Sequence, residues 1–510
     1  MASLPVLGHK RKHFCGSTIV QVGCRLWNFS VVSVLFLTVC NILIAIRLFN
    51  STYRCSVDSH SNKENGSRPR REHHYYMVES RQTTILRPTG ASALKTEVFQ
   101  TSTIASTMTP PSAAAPVIRT KSLRVETGLG RWDDSRKYKM FDAVLVGDKF
   151  VTASNTSSVC LATQSSIEKL GSLAQVAHHW SGPISVALFA AGDEEFALVQ
   201  GYIKYLRRCF PSIEDRVAFH LLFPGIRVPL NSSASTEDGD TANGGGVVDC
   251  LRPERELSKL LKTRSNELKS WRIRNPYPQN ILRNLARKNC QTEYVFLTDV
   301  DIIPSRDLAQ GLDQFFKSGR SNKCRLCAYV IPTYEIDNRV HFPKNKADLI
   351  RLAKKGLAQP FHHKVFIFNQ YATNFSRWET EDNERTDVHV SHDVTNFEFL
   401  YEPFYVASDN VPPHNEKFIG YGYTRNTQVY EMFVAGYQFK VLSPVFTCHW
   451  GLEKKHKWPP WRERQNYANR AIFEVFKREI FARYQKDPLN MVKSKTPTAS
   501  RIAASKFRKT

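Results

Sequence analysis

Two aspartates separated by one residue, Asp299 and Asp301, are the side chains whose types and spacing most directly suggest chemistry. They follow residues 294–297, an apolar run rich in aromatic and β-branched side chains that predicts a buried strand, and Pro304 ends further strand pairing. Carboxylates two residues apart in an extended chain project to the same side, where they repel each other unless a cation lies between them. Oxygen ligands suit Mg²⁺ or Mn²⁺. The pattern alone also fits a strand end with two solvated acids.

The segments around this pair alternate between strand and helix patterns. Apolar runs predict strands at 141–146, 159–163, 184–190, 217–223, 325–332, 401–407 and 439–446, and helical spacing predicts helices at 166–180, 196–209, 277–290, 308–316, 347–356, 428–435 and 465–483. Such alternation predicts βαβ units, an α/β fold and a mostly parallel central sheet. Ligands of these sheets bind beyond the carboxyl ends of the strands, where the acid pair falls.

Residues 26–46 form an almost wholly apolar segment that is long enough to cross a bilayer once. The four Lys and Arg residues at positions 10–25 outnumber the two at 47–54, which predicts a cytoplasmic N-terminus. The segment is long for a signal-peptide core, and no small-x-small cleavage site follows it. We therefore expect a cytoplasmic tail at 1–25, a transmembrane signal anchor at 26–46, and a single-pass type II membrane protein with a lumenal body.

The rest of the chain divides by composition. Residues 47–135 are rich in Ser, Thr, Pro and basic side chains, with too little periodic apolar content for a core, so we expect a mostly disordered lumenal stem. We expect the folded domain at 136–485 and a basic disordered tail at 486–510. The net charge of +24 invites a nucleic-acid partner, but the expected membrane topology argues against one. In a lumen, the partners of such a surface are anionic glycans, acidic membranes or a nucleotide diphosphate.

Cysteines and glycosylation sequons agree with a secretory-pathway location. Eight of the eleven cysteines follow the apolar segment, where disulfide bonds can form. The Cys324-x-x-Cys327 spacing also occurs in zinc and redox sites, but no second Cys/His pair lies at zinc-finger spacing. Asn-x-Ser/Thr sequons occur at Asn50, Asn65, Asn155, Asn231 and Asn374.

Five motifs in order, at residues 280–287, 296–304, 401–406, 418–423 and 445–451, resemble glycosyltransferase family 49. The resemblance covers roughly residues 155–475 and includes the run FLTDVDIIP around the acid pair. It implies a GT-A-type fold, a location in the Golgi membrane, and a UDP-sugar donor that is UDP-glucuronate in this family. It also implies Mn²⁺, with Mg²⁺ as an alternative, to neutralise the diphosphate that departs when the glycosidic bond breaks.

The resemblance also implies roles for individual residues around the acid pair. Asp301 is the first choice for a metal ligand, Asp299 would bind the metal, the donor ribose or both, and His449 would add a nitrogen ligand. Family position places Arg283 and Asn284 at the nucleotide, although Arg283 also fits a structural ion pair. Lys454 could meet the phosphates as a point charge, and it equally fits a solvated lysine. A surface histidine, or a core histidine with satisfied hydrogen bonds, remains the alternative for His449.

Converting an α-linked UDP-sugar into a β-linkage inverts the anomeric carbon and needs a carboxylate that deprotonates the acceptor hydroxyl. Glu416 is the first prediction for this base and Asp409 is the second. Glu416 lies in the run Asn415-Glu416-Lys417-Phe418, where the family typically has Asp-Glu-Arg-Phe. If the family's base is the replaced aspartate, this chain would be slow or inactive.

Together with these expectations, the resemblance implies an inverting, Mn²⁺-dependent transfer of glucuronic acid to a xylose-terminated O-mannosyl-type glycan on a glycoprotein such as α-dystroglycan. One alternative is a β-1,3-N-acetylglucosaminyltransferase, because none of these residues establishes recognition of a sugar carboxylate. The other is a weakly active family member that serves as a lumenal partner of other Golgi glycosyltransferases.

Overall fold

The computed structural model describes residues 123, 125–126, 128–229, 249–319, 324–381, 385–454 and 459–492. The expected cytoplasmic tail and signal anchor lie outside these residues, as do most of the expected stem and the tail beyond residue 492. Among the described residues, no helix combines the length and apolar character needed to cross a membrane. The described residues all fall within one unit, Ser112–Thr510.

Strands and helices alternate through most of the described chain. The strands are β1 (Arg131–Trp132), β2 (Tyr138–Leu145), β3 (Val159–Ser166), β4 (Ile184–Phe189), β5 (Val217–Pro224), β6 (Tyr294–Asp299), β7 (Ile303–Pro304), β8 (Cys327–Ile331), β9 (Thr333–Ile336), β10 (Ala358–Pro360), β11 (His389–Asp393), β12 (Phe404–Ser408), β13 (Gln438–Ser443) and β14 (Thr447–Trp450). The helices are α1 (Phe150–Thr156), α2 (Leu173–His179), α3 (Asp193–Cys209), α4 (Pro211–Arg216), α5 (Pro253–Lys262), α6 (Asn266–Arg274), α7 (Gln279–Lys288), α8 (Leu308–Lys317), α9 (Lys346–Lys354), α10 (Phe375–Thr380), α11 (Arg425–Ala435) and α12 (Pro460–Tyr484).

The main sheet has ten strands in the order β1-β2-β5-β4-β3-β6-β12-β8-β13-β11. Strands β5, β4, β3 and β6 are mutually parallel, as the alternating pattern predicts. The prediction of a mostly parallel sheet is wrong outside these four strands, because β2 runs antiparallel to β5 and β12 runs antiparallel to both β6 and β8. An apolar run predicts that a strand is buried but not its direction, so the sequence pattern could not distinguish these arrangements. The fold is α/β with a mixed central sheet.

A second, four-stranded sheet has the order β10-β9-β14-β7. Strand β7 follows the acid pair and runs antiparallel to β14, and β14 runs parallel to β9. The chain therefore leaves the main sheet at Asp299 and enters the smaller sheet at Ile303. The acid pair lies at the junction of the two sheets.

Helices cover both faces of the parallel strands. On one face Ile281, Leu282 and Leu285 of α7 pack in a cluster with Leu222 and Leu297. On the other face, side chains of α2, α3 and α8 pack in a larger cluster that includes the strand residues Val186, Leu188, Leu221 and Phe296. Every residue of β4 and β5 is buried, which explains why these strands are continuous apolar runs without alternation.

Disulfide bonds join six of the cysteines that follow the expected anchor. Cys160 of β3 is bonded to Cys290 after α7, Cys209 to Cys250, and Cys324 to Cys327. The Cys-x-x-Cys pair is thus a disulfide in this structure. Cys448 is a buried free cysteine.

We expect the double change Cys160→Ala and Cys290→Ala to lower the free energy of unfolding by about 2–4 kcal/mol, because this bond closes a long loop in the unfolded chain. Its two cysteines are separated by 130 positions, whereas Cys324 and Cys327 are separated by 3. Chemical denaturation of the purified proteins measures the difference. The matched control, Cys324→Ala with Cys327→Ala, should lose less, and an equal loss in both variants would contradict the loop-closure explanation.

Candidate active site

Asp299 lies where β6 ends and the chain leaves the main sheet. The parallel register of β3 and β6 places Gln164 directly beside it. Gln164 Nε2 donates a hydrogen bond to Asp299 Oδ1 over 3.1 Å, and the Tyr277 hydroxyl donates one to Gln164 Oε1. Backbone pairing of two strands thus fixes a polar group next to the first acid.

Two buried arginines from distant segments hold the Asp299 carboxylate. Arg283 Nη2 lies 3.3 Å from Oδ1, and Arg425 Nη2 lies 2.9 Å from Oδ2. Arg283 reaches the acid because apolar side chains hold α7 against the sheet, and Arg425 because α11 begins close to the end of β6. The Arg425 guanidinium also lies 4.2 Å from the centre of the Phe404 ring. The ion pair considered for Arg283 therefore exists, and its partner is the first acid of the motif.

Asp301, in the turn after β6, meets a different pair of basic groups. Lys169 Nζ lies 2.6 Å from Asp301 Oδ2, and His449 Nε2 lies 3.6 Å from the same oxygen. Lys169 belongs to the 3₁₀ turn Ile167–Ser172 that directly follows β3. His449 is within reach because β7, which begins two residues after Asp301, pairs with the β14 strand that carries the histidine. The small sheet thus brings positions 301 and 449 together.

These pairings determine the charge of both acids. Burial alone would raise the pKa of Asp299, but Arg425 and Arg283 outweigh it and lower the pKa to about 2. Burial also opposes ionisation of Asp301, yet Lys169 and His449 hold its pKa far below the ordinary value. Burial lowers the pKa of the His449 imidazole, whereas the negatively charged Asp301 carboxylate close to it raises the pKa more. Both acids are therefore ionised at neutral pH.

A buried glutamate, Glu335 of β9, organises the wall behind His449. The two residues are opposite each other in the parallel pairing of β9 and β14. The Glu335 carboxylate accepts hydrogen bonds from the backbone N–H groups of His362 and Glu453, at 2.8 and 2.9 Å. His362 Nε2 in turn lies 3.3 Å from Glu453 Oε2. The segment after β14 is thus tied to the wall of the site.

The residues expected to bind a metal converge only in part. Within the described ranges, no group of three or more His, Cys, Asp or Glu side chains is arranged to hold a metal ion. Asp301 and His449 offer an oxygen and a nitrogen side by side, which suits Mn²⁺. The oxygens of Asp299 face Arg283, Gln164 and Arg425 instead. Of the three predicted ligands, the structure therefore places only Asp301 and His449 side by side.

The two predicted bases lie in another pocket. Glu416 and Asp409 line a cavity of about 230 Å³ together with Arg131, Met140, Asn284, Leu285, Arg287, Lys288 and Pro413. Asp409 follows β12, whose last residue, Ser408, pairs with the first residue of β6. A strand of this length spans roughly 16 Å, so Asp409 lies at the opposite end of β6 from Asp299.

Glu416 is held on the side of α7 by Asn284, whose Nδ2 donates a hydrogen bond to Oε1 over 2.8 Å. Burial raises the pKa of this glutamate. In the described part of the chain, no hydrogen bond or ion pair joins Glu416 or Asp409 to Asp299, Asp301 or His449. Asn415 stands where the family typically has an aspartate. Its Oδ1 accepts a hydrogen bond from the Lys417 backbone N–H at 3.0 Å, as an aspartate oxygen would, so the local turn is kept.

The remaining predicted nucleotide contacts are also away from the acid pair. Asn284 bonds the His414 backbone through both its amide nitrogen, at 2.8 Å, and its oxygen, at 2.9 Å, so it fixes the loop that carries Glu416. Lys454 is exposed, and its charge acts on Asp337. The structure therefore brings Asp299, Asp301, Arg283 and His449 together and places Asn284 and Lys454 elsewhere.

Sequence reasoning missed several side chains of the site. Lys169 and Gln164 lie at or just beyond the carboxyl end of β3, a signal that the parallel-sheet rule could have used. Arg425 carries no comparable local signal, whereas Glu402 lies within the 401–406 motif that carries the family resemblance. Glu402 accepts hydrogen bonds from Asn369 Nδ2, at 2.7 Å, and from the Asn426 backbone N–H. Burial raises the pKa of Glu402, and the charges of Arg425 and Arg283 act against this rise.

Comparison with known proteins identifies clear relatives. A family model described as a glycosyl-transferase for dystroglycan matches residues 158–485. β-1,4-glucuronyltransferase 1 of Pongo abelii is 31% identical over 380 residues, which cover 74% of this chain and 88% of that protein. The human xylosyl- and glucuronyltransferase LARGE1 is 24% identical over 341 residues, which cover 66% of this chain and 37% of that protein.

Among solved structures, TarS of S. aureus in complex with UDP is similar to this chain with a TM-score of 0.29 and 9% sequence identity. The match covers 62% of this chain and 65% of that one. A TM-score this low supports no further argument.

We expect Asp299→Asn to lower the free energy of unfolding at neutral pH by up to roughly 2 kcal/mol, because the carboxylate that the two arginines stabilise is removed. The pKa of Asp299 is lowered from 3.8 to about 2, so its contribution is present above pH 4 and is lost as the pH falls towards 2. The difference in stability between the native protein and the variant should shrink over that interval, measured by denaturation at each pH. Asp307→Asn, at an exposed position, is the control. A difference independent of pH would contradict the ion-pair assignment.

Proposed function

Since this chain belongs to the family of glycosyl-transferases for dystroglycan, and is therefore a glycosyltransferase, we propose that it transfers glucuronic acid from UDP-glucuronate to a glycan in β-linkage. The observation that carries the proposal is the paired acid motif at the sheet junction, with Lys169, Arg283, Arg425 and His449 gathered around it. Lys169 and His449, which lie at Asp301 beyond the carboxyl end of a parallel strand, suit a nucleotide diphosphate. The similarity to β-1,4-glucuronyltransferase 1 supports glucuronate as the sugar.

Asp301 and His449 would hold Mn²⁺, or Mg²⁺ in its place, with the donor diphosphate as the remaining ligand. The bound cation would neutralise the negative charge that develops on the departing UDP. Lys169 lies within hydrogen-bonding distance of Asp301 and would turn towards a phosphate oxygen once the carboxylate has another cation. Asp299 would orient Arg283 and Arg425.

The proposed inversion needs a base beside the acceptor hydroxyl. Glu416 and Asp409 remain predictions for this role, but both line the separate cavity. Glu402 is a stronger structural choice, because its carboxylate is close enough to Arg283 and Arg425 for their charges to influence it. A carboxylate whose pKa is raised is also a better proton acceptor than a fully stabilised anion.

The acceptor and the location belong to the same proposal. We take the acceptor to be a xylose-terminated O-mannosyl-type glycan on a glycoprotein such as α-dystroglycan, in line with the family description. The apolar segment at 26–46, the sequons and the disulfide bonds support a single-pass type II protein of the Golgi membrane. Other Golgi glycosyltransferases would then be its neighbours.

We expect Asp301→Asn to reduce glucuronate transfer roughly 100-fold or more, because the metal loses an anionic ligand. Transfer with Mn²⁺ is measured for a panel of UDP-glucuronate, UDP-xylose and UDP-N-acetylglucosamine with a xylose-terminated acceptor. Asp307→Asn, six residues away and exposed, should retain activity. Full activity of Asp301→Asn would refute the metal assignment.

For the native protein, transfer of N-acetylglucosamine alone would support the alternative of an N-acetylglucosaminyltransferase. No transfer from any donor would support a role as a partner of other glycosyltransferases.

The base is tested with Glu402→Gln and Glu416→Gln, which are matched in size and charge change. We expect Glu402→Gln to lower kcat roughly 100- to 10,000-fold while UDP binding is unchanged, because a neutral amide cannot accept the proton. Glu416→Gln should retain most of its turnover, since its side chain faces the separate cavity. The reverse result would assign the base to Glu416.

A further inference from the structure

Asp299 is a single carboxylate shared by two buried arginines. Residues Arg283 and Arg425 are each 5% exposed, and each guanidinium approaches a different oxygen of this one acid. Among the described residues, Asp299 is the acid that forms an ion pair with either guanidinium. Glu402, the nearby alternative, is bound instead by an asparagine amide and a backbone N–H. Two buried positive charges therefore share one close negative partner, an arrangement that favours a second anion.

The two arginines differ in how firmly they are held. Arg283 Nη1 also donates a hydrogen bond to Asn280 Oδ1 over 3.2 Å, so this side chain is fixed at two points. Arg425 has its ion pair with Asp299 and rests on the Phe404 ring, and its buried Nη2 atom has no well-aligned hydrogen bond. A guanidinium has five N–H donors, so Arg425 keeps donors for another ligand.

The position of Arg425 relative to Asp301 fits the sugar rather than the phosphates. Lys169 and His449 lie at Asp301, where the diphosphate is proposed to bind, whereas Arg425 lies at Asp299. Asp299 ends β6, whereas Asp301 lies in the turn closed by the hydrogen bond from the Ile302 N–H to the Asp299 carbonyl, so the two carboxylates face separate groups. A donor with its diphosphate at Asp301 would thus bring the far side of its sugar to Arg425.

Building on the proposed function, we propose that Arg425, supported by Arg283, binds the carboxylate of the donor's glucuronate and selects this sugar over neutral ones. Glucuronate differs from glucose by a carboxylate in place of a hydroxymethyl group. A planar guanidinium can bind a carboxylate through two parallel hydrogen bonds, which a hydroxymethyl group cannot form. Arg425 is then a specificity-determining residue for the transferred sugar.

The test compares the affinities of UDP-glucuronate, UDP-glucose and UDP for the full-length protein by calorimetry in the presence of Mn²⁺. We expect the native protein to bind UDP-glucuronate roughly 10- to 100-fold more tightly than UDP-glucose, the range of a charge-assisted hydrogen-bonded pair. Arg425→Gln should abolish this preference and leave the affinities for UDP-glucose and UDP within about twofold of the native values. Arg425→Lys, which keeps the charge but loses the planar fork, should retain only part of the preference.

Arg462→Gln is the matched control, because Arg462 packs on the Tyr421 ring, with 4.9 Å between the guanidinium carbon and the ring centre, and makes no ion pair with Asp299. It should keep the native preference.

If Arg425→Gln weakens the binding of all three ligands equally, Arg425 is assigned to the diphosphate and the inference is overturned. An unchanged preference for UDP-glucuronate would also overturn it. If Arg425→Gln does not fold, as judged by circular dichroism, the preference measured for Arg425→Lys decides: a native value overturns the inference. A native protein that binds UDP but neither prefers nor transfers glucuronate would overturn the proposed function itself.

Discussion

The constraint on which this site depends is the repulsion between two aspartates placed two residues apart at the end of a buried strand. Each carboxylate is stabilised by its own set of basic groups, Arg283 and Arg425 at Asp299, and Lys169 and His449 at Asp301. Without these partners, burial would favour the protonated acids. The basic groups come from four separate segments, so the ionised motif exists only in the folded chain.

Two sheets are needed to assemble these segments. The main sheet places Gln164 beside Asp299 through the β3 and β6 register, and the helix that packs on it delivers Arg283. Directly after the motif the chain enters the small sheet as β7. Strand β14 pairs with β7, and this pairing places His449 at Asp301. The change of sheet between the two halves of the motif explains how two acids so close in sequence acquire unlike surroundings.

The same architecture separates the acid pair from the cavity of Glu416 and Asp409, which the sequence analysis had assigned to one site. The antiparallel strand β12 carries Glu402 close before its start and Asp409 after its end, so these acids lie at opposite ends of the sheet. Glu402 consequently lies on the side of the acid pair and its arginines, whereas Asp409 joins Glu416 in the other cavity. This division is the physical basis for preferring Glu402 as the acceptor-side carboxylate.

The sequence by itself determined the buried parallel strands, the helices between them, the acid pair at a strand end, and the identity of Arg283 and His449 as its neighbours. The strands, helices and strand-end acids follow from local patterns of hydrophobicity, which are properties of short segments, whereas Arg283 and His449 were implied by the resemblance to a known family. The direction of β12, the roles of Lys169, Arg425 and Glu402, and the removal of Glu416 from the site were decided only by the tertiary structure. The reason is that an apolar pattern encodes burial, whereas strand direction, register and the meeting of side chains over a hundred residues apart depend on how the whole sheet is assembled.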